Sequence, residues 1–201
     1  YFQAGSSHAT GFRHNTMKLL TTALLLLMSL FASATDDMLL VAVASNFLGT
    51  AQQLQQDYRD FSGQSFELSA ASTGKLYTQI LYGAPYDVFL AADVISPSQL
   101  EAEGLAVAGS RQTYAIGRLL LWSADPSLGA NDCHAALLTL NFRHLAMANS
   151  NSAPYGLAAR ETLQRLGLWR QVQSKLVTGE NVAQAYQYIA SGNAQLGFIE
   201  V

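Results

Sequence analysis

The sequence predicts an α/β protein with mostly parallel sheets and helices on both of their faces. Three observations carry that prediction. Continuous apolar runs such as "MLLVAVA" (38–44) read as strands covered on both sides. Segments whose apolar residues recur at helical spacing follow these runs in alternation. That βαβα order favours parallel strands joined through helices.

The elements follow in order from residue 38. After the first strand, Phe47, Leu48, Ala51, Leu54, Tyr58 and Phe61 mark a helix that stops at Ser62-Gly63. "SFELSA" (65–70) is a second strand, and "ASTGKLYTQILYGAP" opens with turn residues and continues as a helix. "YDVFLAAD" (86–93) is a third strand, and "SPSQLEAEG" (96–104) a short helix with proline in its first turn. "YAIGRLLLWSA" (114–124) has the pattern of a longer strand closed by Asp125-Pro126. A helix around 132–138, a strand "RHLAMAN" (143–149), a helix over 157–166 and a short helix to Lys175 come next. A strand near "KLVTG", a helix over 182–191 and a final strand "QLGFIEV" (195–201) complete the pattern.

Composition narrows the function classes. Half of the 201 residues are hydrophobic, 12% are charged and the formal net charge is −3, so the chain has core material and no basic footprint for nucleic acid. Residues 1–16, "YFQAGSSHATGFRHNT", read as a tag- or vector-like segment outside the fold. Met17-Lys18 then opens a short apolar run that ends in Ala32-Ser33-Ala34. The run falls short of the ~20 residues of a membrane span. It is read as a secretory signal peptide over 17–34, which implies export. Cys133 is the single cysteine, so no intramolecular disulfide forms and no Cys/His metal set exists; it is expected to pack near a helix start.

In open parallel sheets, ligands sit outside the carboxyl ends of the strands. Four strand-to-helix junctions stand out there: Ser45-Asn46, Ser72-Thr73-Gly74, Ala153-Pro154-Tyr155-Gly156 and Glu180-Asn181-Val182. Each combines small hydroxyl or amide side chains with a helix about to begin. A helix start offers unpaired N–H groups and the positive end of its dipole. Several such ends converging make an anion site without lysine or arginine, and Lys75 is the only basic residue near any of the four. A ring of neutral donors favours a fully deprotonated oxyanion, because an anion carrying a proton needs an acceptor. Each junction also has a purely structural reading: Ser45, Asn46, Ser72 or Asn181 as a plain cap, Pro154-Tyr155-Gly156 as a helix-entry turn with Tyr155 in the core.

At these residues the chain resembles the periplasmic molybdate-binding proteins of ABC transporters. The segments that carry the resemblance are "VAVASNF" (41–47), "ASTGKLYTQILYGAPYDVFLAAD" (71–93), "NSAPYGLAARETLQRLGLW" (151–169) and "GENVAQAYQYIASGNAQLGF" (179–198). The resemblance implies a two-lobed, type II-like binding protein whose cleft closes over molybdate or tungstate. It implies a first lobe over 35–116 and a second over 117–201. Ser45 would offer its hydroxyl and backbone N–H, with Asn46 beside it. Ser72 and Thr73 would supply a second hydroxyl and amide, and which of them is the direct ligand stays open. Tyr155 and Val182 would each give a backbone N–H. Molybdenum would contact the protein only through its oxygens, with no protein–metal bond, no cofactor and no catalytic residue. The implied partner is the membrane permease of an ABC importer, and the implied state a periplasmic monomer.

Two departures qualify the match. Some members place a tyrosine hydroxyl on the anion where this chain has Glu200, which would repel a dianion and is therefore expected not to be a ligand. Members also continue past the position of Val201 with elements that return to the first lobe, so the chain reads as truncated there. Competing readings are a receptor for sulfate, thiosulfate or phosphate, a serine hydrolase using Ser45 or Ser72, and a structural domain whose junctions are only caps. The hydrolase lacks a G-x-S-x-G elbow, and His134 and His144 lie outside the four junctions.

Overall fold

A computed structural model of the chain describes residues 38–128 and 130–201. The segments read as a tag (1–16) and as a signal peptide (17–34) lie outside the described residues.

Two sheets organise the chain. In the first, β1 (Leu39–Ala44) lies between β2 (Phe66–Ala71) and β3 (Val88–Leu90), and both pairings are parallel. Its central position explains the unbroken apolar run, since Val41 through Ala44 are all buried. Helix α1 (Leu48–Ser62) ends at Gly63, whose φ of +71° is the left-handed conformation that glycine adopts freely. Helix α2 (Thr73–Leu81) buries Leu76, and α3 (Ile95–Ala102) follows β3.

The second sheet has the order β4-β7-β5-β6, formed by Leu119–Trp122, Leu196–Glu200, Leu145–Ala148 and Leu176–Gly179. β5 runs parallel to β6 and β7, and β4 pairs antiparallel with β7. Helices α4 (Ala130–Thr139), α5 (Pro154–Arg165), α6 (Trp169–Val172) and α7 (Val182–Ala190) flank it. Leu145, Met147, Leu163, Val172 and Leu196 form the centre of its core, and Cys133 packs there too. Burial, followed by the neighbouring Asp132, pushes the Cys133 thiol pKa up, so the group behaves as a small apolar side chain.

Several expected boundaries shift for identifiable reasons. The long strand over 114–124 is only Leu119–Trp122. Upstream, Tyr114 gives its hydroxyl to the Ala91 carbonyl at 2.8 Å and sets its ring edge-on to Phe47 at 4.9 Å. Those side chains serve the first sheet, so residues 114–117 connect the sheets rather than pair. Strand β3 is shorter than 86–93 because side chains bond its flanks: the Asp87 carboxylate accepts from Leu40 N–H at 2.7 Å, and Thr73 Oγ1 accepts from Ala92 N–H at 3.0 Å. Helix α5 starts at Pro154 rather than 157, with proline at the first helical position, where its missing N–H costs nothing. On α1 the apolar stripe is buried only at Ala51, and Phe61 is 90% exposed.

Candidate functional site

The carboxyl ends of β1, β2, β5 and β6 lead into the four junctions singled out by their chemistry. Ser45, Asn46, Ser72, Thr73, Tyr155 and Val182 together line one small cavity of about 10 Å³. Ala44, Ala92, Ala153 and Pro154 complete its wall, so no charged side chain lines it. The first two junctions belong to elements of the first sheet and the last two to elements of the second. The cavity is small because the two walls touch directly: Gly74 N–H donates to the Ser152 carbonyl at 2.9 Å, and Lys75 forms an ion pair with Glu180.

Each wall residue reaches its place by local rules. Ser45 begins a 3₁₀ turn over Ser45–Phe47, and its carbonyl accepts from Leu48 N–H, but its hydroxyl caps neither this turn nor α1. Ser72 occupies the N-cap position of α2 in an extended conformation, and its carbonyl accepts from Lys75 and Leu76 N–H at 3.0 and 3.1 Å. Its hydroxyl makes no capping bond. Instead Ser72 Oγ is buried without a hydrogen-bond partner, an uncommon and costly state for a hydroxyl. The adjacent Thr73 hydroxyl is tied to Ala92 N–H, which joins α2 to the end of β3. The purely structural reading therefore fits the Thr73 side chain and fails for Ser72.

Tyr155 and Val182 sit at the second and first positions of α5 and α7, where a helix leaves its N–H groups without internal acceptors. Asn181 does act as a cap. Its Oδ1 accepts from Gln184 N–H at 3.0 Å, and Gln184 Oε1 accepts from Glu180 N–H at 2.6 Å, a reciprocal arrangement that pins the start of α7.

Tyr155 also lines a larger cavity of about 820 Å³, bounded by β3, α3, the connector and Glu200. There burial, then the Glu200 carboxylate, push the Tyr155 phenol pKa up, while a hydrogen bond with the Asn46 side chain acts against them. Glu200 itself is held above the usual carboxylate range by burial, and its Oε2 is buried without a partner. It lines the larger cavity and does not appear in the wall of the smaller. The converging donors, rather than the volume, make the smaller cavity the candidate site.

Comparison with known proteins decides the family. The family model described as "Bacterial extracellular solute-binding protein" matches residues 39–201. The chain belongs to that family. This solute-binding protein is 42% identical over 184 residues to the molybdate-binding protein ModA of Rhodobacter capsulatus, covering 92% of this chain and 72% of the relative. It is 49% identical over 160 residues to ModA of Azotobacter vinelandii, covering 79% and 63%. The solved periplasmic molybdate-binding protein of Azotobacter vinelandii superimposes with a TM-score of 0.75 at 43% identity, over 81% of this chain and 71% of that one. The α/β fold with mostly parallel sheets flanked by helices, expected from the sequence, is the one this match supports.

Two features of this solute-binding protein were not legible beforehand. Ala92 enters the cavity wall because Thr73 holds its N–H, and nothing in "FLAAD" announces that bond. The contacts of Gly74 with Ser152 and of Lys75 with Glu180 join segments far apart in the chain. Only the glycine at the start of α2 hinted that another backbone comes close there.

Proposed function

We propose that this protein is a periplasmic receptor that captures molybdate or tungstate and delivers the anion, as a monomer, to the membrane permease of an ABC importer. The observation that carries the reading is the single cavity lined by Ser45, Asn46, Ser72, Thr73, Tyr155 and Val182, with the Ser72 hydroxyl buried and unpaired. The names of the relatives support the choice of anion.

In this reading the Ser45 and Ser72 hydroxyls donate to the anion, with backbone N–H groups of Ser45, Thr73, Tyr155 and Val182. The starts of α2, α5 and α7 add the positive ends of their dipoles. Val182 shows why backbone suffices: its side chain has no donor. Asn46, beside Ser45 in the same wall, adds a neutral side-chain amide to the ring. The lining holds no carboxylate to receive a proton, which favours a dianion over a protonated phosphate. It also holds no histidine or acid to serve as a base, so the lining supports anion binding by Ser45 and Ser72 better than nucleophilic chemistry. No resident metal or cofactor takes part, since the metal arrives inside its shell of oxygens.

Thermal unfolding tests the reading. A ligand at 100 times its Kd stabilises the native state by about 2.7 kcal/mol. For a domain of this size that is a rise in Tm of roughly 5–10 °C. Molybdate and tungstate are expected to give such a rise, and sulfate or phosphate at equal concentration little. Equal shifts from all four anions would refute the neutral, size-selective ring.

A further inference from the structure

We propose that Lys75 and Glu180 are positioning residues that hold the two cavity walls together, and so set how long a bound anion stays rather than how it is recognised. The inference rests on the reading of the cavity as an oxyanion site. Lys75 lies on α2 two residues after Thr73, and Glu180 lies in the turn before α7, two residues before Val182. Their charged ends meet beside the cavity, next to the Gly74–Ser152 backbone bond. Two further ion pairs, Arg111 with Glu101 and Arg165 with Glu161, are local. Lys75–Glu180 instead joins an element of the first sheet to an element of the second.

Both side chains are 50% exposed, so solvent screens the pair and its effect is modest. Its placement nevertheless concentrates that effect. The partners sit on separate walls, so the attraction exists only while the walls are together, and all of it biases the closed state over the open one. The pair is also neutral as a unit. Glu180 offsets the field that Lys75 alone would place on the anion, which leaves recognition to the uncharged donors. Neither residue is part of the cavity wall.

A latch and a long-range attraction make opposite forecasts. If Lys75 acted by its field alone, Lys75→Met would weaken anion binding and Glu180→Gln would strengthen it. As a latch, both substitutions speed release, by roughly two- to fivefold. The test loads the wild type, K75M, E180Q and the charge-swapped double variant K75E/E180K with radiolabelled molybdate, then chases with unlabelled anion and follows release. Melting of the ligand-free variants, expected to match the wild type, shows that the fold is intact. The latch predicts faster release in both single variants, little change in association rate, and recovery toward the wild-type rate in the swap. It also predicts that added salt speeds release from the wild type and hardly affects K75M or E180Q. Opposite signs in the two single variants, or wild-type release from both, would overturn the latch while leaving the anion site standing. A wild type that takes up neither molybdate nor tungstate would overturn both.

Discussion

Ser72→Ala is expected to weaken molybdate binding about 10- to 100-fold while leaving the ligand-free protein at least as stable as before. The two halves of this result have one cause. The Ser72 hydroxyl is buried and makes no hydrogen bond within the protein, so it contributes nothing to the fold that alanine would lose. A hydrogen bond to a charged partner is worth about 1.5–3 kcal/mol, and leaving a buried hydroxyl unpaired is costly. Removing it thus relieves the free protein and deprives the bound one. Thr73→Val, one residue along, has the reverse signature. It deletes the acceptor for Ala92 N–H and is expected to lower stability by about 1 kcal/mol. Calorimetric titration with molybdate and thermal melting of both free variants separate the two roles. A stability loss in Ser72→Ala with unchanged affinity would return Ser72 to a structural role.

The second large effect is expected at Gly74. A methyl group there would lie 2.8 Å from the Ser152 carbonyl oxygen and 3.1 Å from Ser152 Cα, both of them backbone atoms. No side chain can swing aside to relieve the clash, so the walls must separate. Gly74→Ala is expected to lower molybdate affinity by at least tenfold, since the donors of the first wall no longer meet those of the second. The separation also breaks the Gly74–Ser152 backbone hydrogen bond, so the free protein should lose up to about 1 kcal/mol of stability as well. The same titration and melting experiments check this. Unchanged affinity would mean that the Gly74–Ser152 contact is not part of the bound state.

What the sequence revealed and what it hid follow from how far each signal reaches along the chain. The order of strands and helices was legible because burial on two faces writes unbroken apolar runs such as "LLVAVA", whereas a one-sided helix writes a period of 3.6. The candidate site was legible because strand ends in parallel sheets point to one edge, and donor-rich junctions there advertise themselves locally. Where a residue's role depends on a distant partner, local pattern fails. Tyr114 and Ile116 look like strand residues, yet Tyr114 bonds to Ala91 and Ile116 is 88% exposed. Ser72 and Thr73 cannot be told apart as neighbours of similar chemistry; the Ala92 amide, 19 residues away, distinguishes them. Leu54 and Phe61 have helical spacing but remain exposed at 49% and 90%, since periodicity marks a face without saying what covers it.

The central claim is that uncharged donors from four separate turns of the chain surround one doubly negative anion. Crystals grown with tungstate test it most directly, because the heavy atom locates itself by anomalous scattering. One strong peak is predicted in the small cavity, with its oxygens in hydrogen-bond reach of the Ser45 and Ser72 hydroxyls and the Tyr155 and Val182 amides, and with no lysine or arginine in contact. A peak beside Lys75 or in the larger cavity near Glu200, with the small cavity unchanged, would contradict it.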